Sequence, residues 1–168
     1  MTDINTQKID FKNGIILGRD DAPVKLVEFT NLRCPYCRQW WQKRHNLIAE
    51  YVAAGRVQHV IKLFDKEKPS LAAGDVMHHH VPQDESAPDV ISSIFETQDD
   101  WGNLDTLEDV ADYAVNTLGL TLQNYKEMST KIKNETLESG VFFIPTMIVN
   151  DQVFDQKIAL EDLKALLN

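Results

Sequence analysis

The sequence predicts an α/β fold: a strand–helix–strand unit opens the chain, helices are inserted, and a β-hairpin with a final helix closes it. Three observations predict this. Short, apolar, β-branched runs stand near the two ends of the chain. A long segment with helical spacing fills the middle. That middle also differs sharply in charge from its flanks.

The first strand is "VKLVEFT", Val24 to Thr30, entered through the turn-rich "GRDDAP". The helix that follows begins at Pro35, a residue suited to a first helical turn because its missing N–H has no partner there anyway. Trp40, Trp41, Leu47, Ile48 and Tyr51 fall on one broad face, and Gly55 ends the helix. "RVQHVIKLFD", Arg56 to Asp65, reads as the second strand of the βαβ unit. Between about residues 69 and 139 the pattern gives about four helices, with Leu104, Leu107, Val110, Ala111, Ala114, Val115 and Leu118 forming one stripe up to Gly119. Ser86 with Asp89, and Thr106 with Asp109, resemble capping boxes. Strands return at Pro145 to Val149 and Gln152 to Phe154, and Asn150-Asp151 between them suits a tight hairpin. Leu160, Leu163 and Leu167 share a face of the last helix.

A chain of 168 residues, 43% hydrophobic and 26% charged, can bury a core without disulfide staples. Its net charge of −9 argues against a nucleic-acid partner, which would need a basic face. Between Pro69 and Tyr125 there are eleven acids and no Lys or Arg. This shift marks a separate structural unit, whose acids form either a solvated face or a docking surface. The N-terminus has no basic start followed by an apolar run, and no apolar stretch approaches the roughly 18 residues of a membrane helix. The expected compartment is the cytoplasm, with no membrane association.

The two cysteines, Cys34 and Cys37, are separated by Pro35 and Tyr36 and sit where a strand meets a helix. At such a junction, free backbone N–H groups and the helix dipole favour negative charge. The thiolate is the attacking form of cysteine. Cys34 would lie partly exposed at the helix mouth and attack a disulfide; Cys37, inside the first turn, would resolve the mixed disulfide. Arg33, Arg38, Lys43 and Arg44 surround the pair, and no acid occurs from Asn31 to Ala49. This local positive field should favour thiolate.

A CxxC is also half of a zinc site. No second CxxC exists, and His78-His79-His80 is the remaining ligand-rich stretch. Adjacent helical residues point about 100° apart, so three in a row rarely converge on one ion. The expectation is therefore no metal and no cofactor, with the histidine run at an exposed helix end or loop.

Taken together, these residues resemble the thioredoxin superfamily and, within it, its DsbA-like branch. The resemblance rests on "DDAPVKLVEFTNLRCPYC", on Glu28 six residues before Cys34, on the helical insertion, and on "GVFFIPTMIVNDQVF". It spans about residues 13–168 and implies a thioredoxin-like domain of residues 1–68 and 140–168, with 69–139 as an inserted helical subdomain. It further implies that Cys34 is the nucleophile and Cys37 the resolving thiol. Pro145 would be a cis-proline facing them, Pro35 and Tyr36 would border the substrate, and the Ile144 backbone would pair with an extended substrate. Glu28 would take up or relay the Cys37 proton, with either Lys62 or His59 turned towards it.

The chain departs from the DsbA-like pattern at two places. Phe143 and Ile144 precede the proline where Gly-Thr or similar residues are usual, giving a more apolar groove. Pro-Tyr replaces the Pro-His of strongly oxidising members and resembles glutaredoxins, which implies a less oxidising disulfide. The resemblance thus implies a thiol–disulfide oxidoreductase that exchanges with disulfide-containing or dithiol proteins. Its net direction would be reducing in the cytosol, with electrons from a thioredoxin- or glutathione-type thiol. Two other readings stand beside it: a glutathione-dependent transferase or isomerase of the same fold, and a holdase that grips unfolded chains without turnover.

Overall fold

The computed structural model describes residues 3–168. A five-stranded sheet has the order β1-β3-β2-β4-β5. Its strands are β1 (Ile15–Leu17), β2 (Val24–Thr30), β3 (Val57–Leu63), β4 (Thr146–Val149) and β5 (Gln152–Phe154). β2 and β3 are parallel and joined by helix α1 (Pro35–Ala53); every other pairing is antiparallel. β1 is an addition to the sequence reading: three residues carry too little periodicity to announce a strand, and only pairing with β3 defines it. The hairpin turn between β4 and β5 places Asn150 and Asp151 at φ of 50° and 67°, the left-handed pair that matches strand twist.

Alternation along the strands sorts the core into two faces. Val24, Leu26, Val57, Met147 and Val149 pack against Trp40 and Ile48 of α1 and against Leu163 and Leu167 of α7 (Leu160–Leu167). Val27, Phe29, Val60 and Ile148 pack on the opposite face against Ile132 of α6 (Lys126–Ser139). The interior β2 and β3 are buried on both faces, which is why they read as near-continuous apolar runs.

Between β3 and α6 lie α2 (Ala72–His78), α3 (Ala87–Glu96), α4 (Gln98–Trp101) and α5 (Leu107–Asp112). The stripe ending at Leu118 is not one helix. α5 gives way to a π turn over Tyr113–Thr117, closed by Leu118 N–H donating to Tyr113 O. Val110 and Ala114 are buried, while Leu107 and Val115 are exposed. Thr106 caps α5 by accepting from the Asp109 amide, as its capping box predicts. Ser86 makes no such cap; its hydroxyl donates to Asp84 instead. Met77, Ile91, Ile94, Phe95 and Trp101 of these helices share one apolar cluster with Leu32, Cys34, Cys37 and Trp41. The cysteine pair therefore sits at the seam between these helices and the sheet. No helix among the described residues is long and apolar enough to cross a membrane.

Candidate active site

Cys34 is the N-cap of α1, with extended backbone at φ −70° and ψ 124°, and Pro35 follows at the first helical position. A serine or aspartate oxygen at this position would accept from the first-turn amides. Here the Cys34 sulfur stands near those amides but makes no capping hydrogen bond. Cys34 is lowered to about 6. The hydrogen bond from Cys37 is the largest cause, the amides of Cys37 and Tyr36 add to it, and burial opposes it. Cys37 is raised well above the ordinary thiol range, first by its complete burial and then by the Cys34 sulfur beside it. Both cysteines are free thiols. The two residues thus differ in the sense that exchange chemistry needs: one is a ready thiolate, the other a buried thiol.

Cys34 is only 6% exposed, less than the sequence suggested. Ile144 packs against the cluster that includes it. The Ile144–Pro145 peptide bond is cis, and Cys34 Sγ lies 3.9 Å from the Ile144 carbonyl oxygen. Pro145 is buried, whereas Pro35 and Tyr36 are exposed, Tyr36 by 58%. An open groove of about 990 Å³ runs past Phe143, Ile144, Pro145, Val153, Phe154 and Ile158. Phe143, 67% exposed, stands at its edge under the ammonium of Lys66.

Cations that the sequence did not single out also act on Cys34. Arg33 Nε donates to Gly102 O, and Arg38 pairs with Asp99. Besides Lys66, on which Cys34 also acts, Lys68 is a cation that helps lower Cys34. It follows β3, and because β2 and β3 are parallel, the loops after both strands emerge at the same end of the sheet. That topology is the signal that could have found it.

Glu28 lies 1% exposed on the α1 face of β2, beneath the helix. Its Oε1 accepts from Trp40 Nε1 at 3.1 Å and meets His59 Nε2 at 2.8 Å. Lys62 is not its partner. In the β2–β3 register Lys62 stands opposite Phe29, on the other face, where it pairs with Asp10 and Glu135. Glu28 makes no bond to Cys37; Thr30, the next residue on its face, is the one beside that thiol. Glu28 Oε2 and Thr30 Oγ1 are both buried without a hydrogen-bond partner.

The histidine run is not an exposed helix end. His78 and His80 are each 4% exposed, and His79 stacks on Tyr125. The Leu32 amide donates to His78 Nε2 at 3.0 Å, so the ring proton sits on Nδ1 and is donated to Asp65 at 2.7 Å. Burial pushes His78 down and keeps it neutral. The ligand atoms of Asp65, Asp75 and His78 lie close together, and both nitrogens of His78 are engaged in hydrogen bonds, Nε2 with the Leu32 amide and Nδ1 with Asp65. His78 was not visible as a site residue in the sequence, because Leu32 and Asp65 are remote from it along the chain.

Comparison with known proteins agrees with this architecture. A family model described as thioredoxin matches residues 10–168. A conserved protein of unknown function from Enterococcus faecalis has 41% identity and a TM-score of 0.95, over 98% of this chain and 94% of that one. Oxidised BdbD from Bacillus subtilis has 20% identity and a TM-score of 0.66, over 94% of this chain and 92% of that one. A probable disulfide bond formation protein D from Bacillus cereus is 51% identical over 43 residues, 25% of this chain. That match spans only 20% of the curated relative's length. With the family model matched over residues 10–168 and the fold shared with DsbA-like structures, the chain belongs to the thioredoxin family.

Proposed function

We propose that the protein is a thiol–disulfide oxidoreductase acting on protein disulfides, with Cys34 as nucleophile and Cys37 as resolving thiol. The observation that carries this reading is the pairing of a low Cys34, about 6, at a helix N-cap with a buried, raised Cys37 one turn on. The Cys34 thiolate attacks one sulfur of a substrate disulfide. A mixed disulfide forms, the substrate S–S bond breaks, and the departing sulfur takes a proton. Cys37 then loses its proton and attacks Cys34 Sγ, releasing the second substrate thiol. The substrate gains two electrons and the Cys34–Cys37 pair becomes the disulfide. In this reading the Cys37 proton passes by the Thr30 hydroxyl to Glu28. The Ile144 carbonyl beside the cis peptide pairs with an extended substrate, and Pro35 and Tyr36 border it.

The net direction we propose is reduction in the cytosol, with electrons resupplied by a thioredoxin- or glutathione-type thiol. A Cys34 value of about 6 supports this. It is nearer the ~7 of a thioredoxin than the ~3.5 of a strong oxidant. Tyr36 also brings no charge to the thiolate. Insulin reduction and the glutathione equilibrium test the two parts. Folded Cys34→Ser should lose insulin reduction, and retained activity would refute the catalytic assignment. A potential near −250 mV or below supports a reductase, and one near about −180 mV or above reverses the direction.

A further inference from the structure

The turn from Asn31 to Cys34 is held almost wholly from outside the sheet. The Asn31 side chain accepts from the Arg33 amide at 2.9 Å, donates to Phe64 O at 3.1 Å, and donates to Asp75 Oδ1 of α2 at 2.9 Å. His78, at the end of α2, takes the Leu32 amide. Gln98, at the start of α4 and 1% exposed, donates to Leu32 O at 2.8 Å and Cys34 O at 3.4 Å. Gly74 allows the close approach: a Cβ there would meet the Asn31 side-chain oxygen and come within 2.7 Å of the Arg33 nitrogen. So held, the Asn31 amide points at Cys37 Sγ, 3.5 Å away. His78 is fixed in turn by Asp65, whose other oxygen accepts from His79 and Ser129.

We propose that Asp75, His78 and Gln98 are positioning residues: the inserted helices clamp the Asn31–Cys34 turn in the geometry that aims the Asn31 amide at Cys37 and the first amides of α1 at Cys34. Through that aim the insertion sets how readily the pair is reduced. The reaction served is the exchange proposed above, on which the functional meaning of the clamp rests. Loosening the turn withdraws donors from sulfur, so the thiolate and the reduced pair both become less favourable.

Two substitutions of one histidine separate the clamp from simple packing. In His78→Asn the amide can still donate to Asp65, but nothing reaches the Leu32 amide. In His78→Gln the longer side chain can accept from Leu32 while Asp65 loses its donor. Cys34 alkylation against pH and the equilibrium with glutathione are read on the full chain, below the unfolding temperature of each variant. His78→Asn should raise the Cys34 midpoint by about one pH unit and move the glutathione equilibrium about tenfold towards the disulfide, about 30 mV. His78→Gln should stay within about threefold of the unsubstituted protein. Equal behaviour of the two variants overturns the proposal.

If His78→Asn does not fold, Gln98→Met, of similar length but without the donor, carries the test. It should shift both readouts in the same direction, and unchanged readouts overturn the proposal. An unsubstituted protein that reduces no disulfide refutes the proposed function instead, since the thiolate titration needs no substrate.

Discussion

His59 Nε2 lies 2.8 Å from Glu28 Oε1, and the pair is sealed under α1 with both side chains no more than 2% exposed. Trp40 supplies a second donor to the same oxygen. His59 also borders a cavity of about 400 Å³ with His45, Leu17 and Val52, so the acid under the helix is linked through an imidazole to a lateral opening.

Removing His59 should therefore be costly in a specific way. His59→Leu leaves a buried carboxyl with Trp40 as its one remaining donor, at a cost of about 2 kcal/mol. Glu28→Leu combined with His59→Leu replaces both partners by apolar groups and should be less destabilised than the sum of the two single variants. A double-variant cycle from urea unfolding measures this. Simple additivity would mean that the contact contributes nothing to stability.

The low Cys34 depends first on Cys37 as a donor. Cys37→Ala removes that donor and keeps the helix. The midpoint of Cys34 alkylation, expected near 6, should rise by roughly one pH unit. An unchanged midpoint would assign the lowering to the α1 amides and the neighbouring lysines alone.

The parts of this architecture that were legible in the sequence are those governed by short-range patterns. β2, α1 and the closing hairpin announce themselves by a short apolar, β-branched run, by Pro35 and Gly55, and by the dipeptide at the turn. The CxxC at a strand-to-helix junction was visible for the same reason. What could not be read depends on register or on distant partners. Whether His59 or Lys62 meets Glu28 is decided by the pairing of Leu26 with His59 and Phe29 with Lys62 across parallel strands. Three adjacent histidines look solvated until Asp65 and Leu32, 13 and 46 residues from His78, are seen against them. Lys68 approaches Cys34 only because two parallel strands end side by side.

Gly74 should tolerate no side chain. Its α2 backbone rests on the Asn31–Arg33 turn, and the Arg33 atoms a Cβ would meet include backbone nitrogen, which cannot swing away. Gly74→Ala is expected to cost about 2 kcal/mol by forcing the helix off the turn, despite alanine's better helix propensity. Thermal and urea unfolding check this. A stabilised Gly74→Ala would show that α2 can slide without disturbing the redox turn.

Asp75 gives the fold a pH dependence with a definite sign. Its carboxyl is pushed up to about 8, first by burial and then by the charge of Asp65; Asn31 and Lys133 oppose the rise, and Glu67 adds to it. Between the ordinary aspartate value of 3.8 and about 8, the folded protein holds a proton at Asp75 that the unfolded chain has released. The stability this group contributes is thus complete below about pH 4 and declines as pH rises through the folded value near 8. Asp75→Asn cannot ionise, and its amide oxygen can still accept from Asn31. It should therefore lose less stability between pH 5 and pH 8.5 than the unsubstituted protein, and the difference between the two curves isolates Asp75 from other titrating groups. Urea unfolding at both pH values measures it. Parallel curves would mean that Asp75 ionises in the folded state as freely as in the unfolded one.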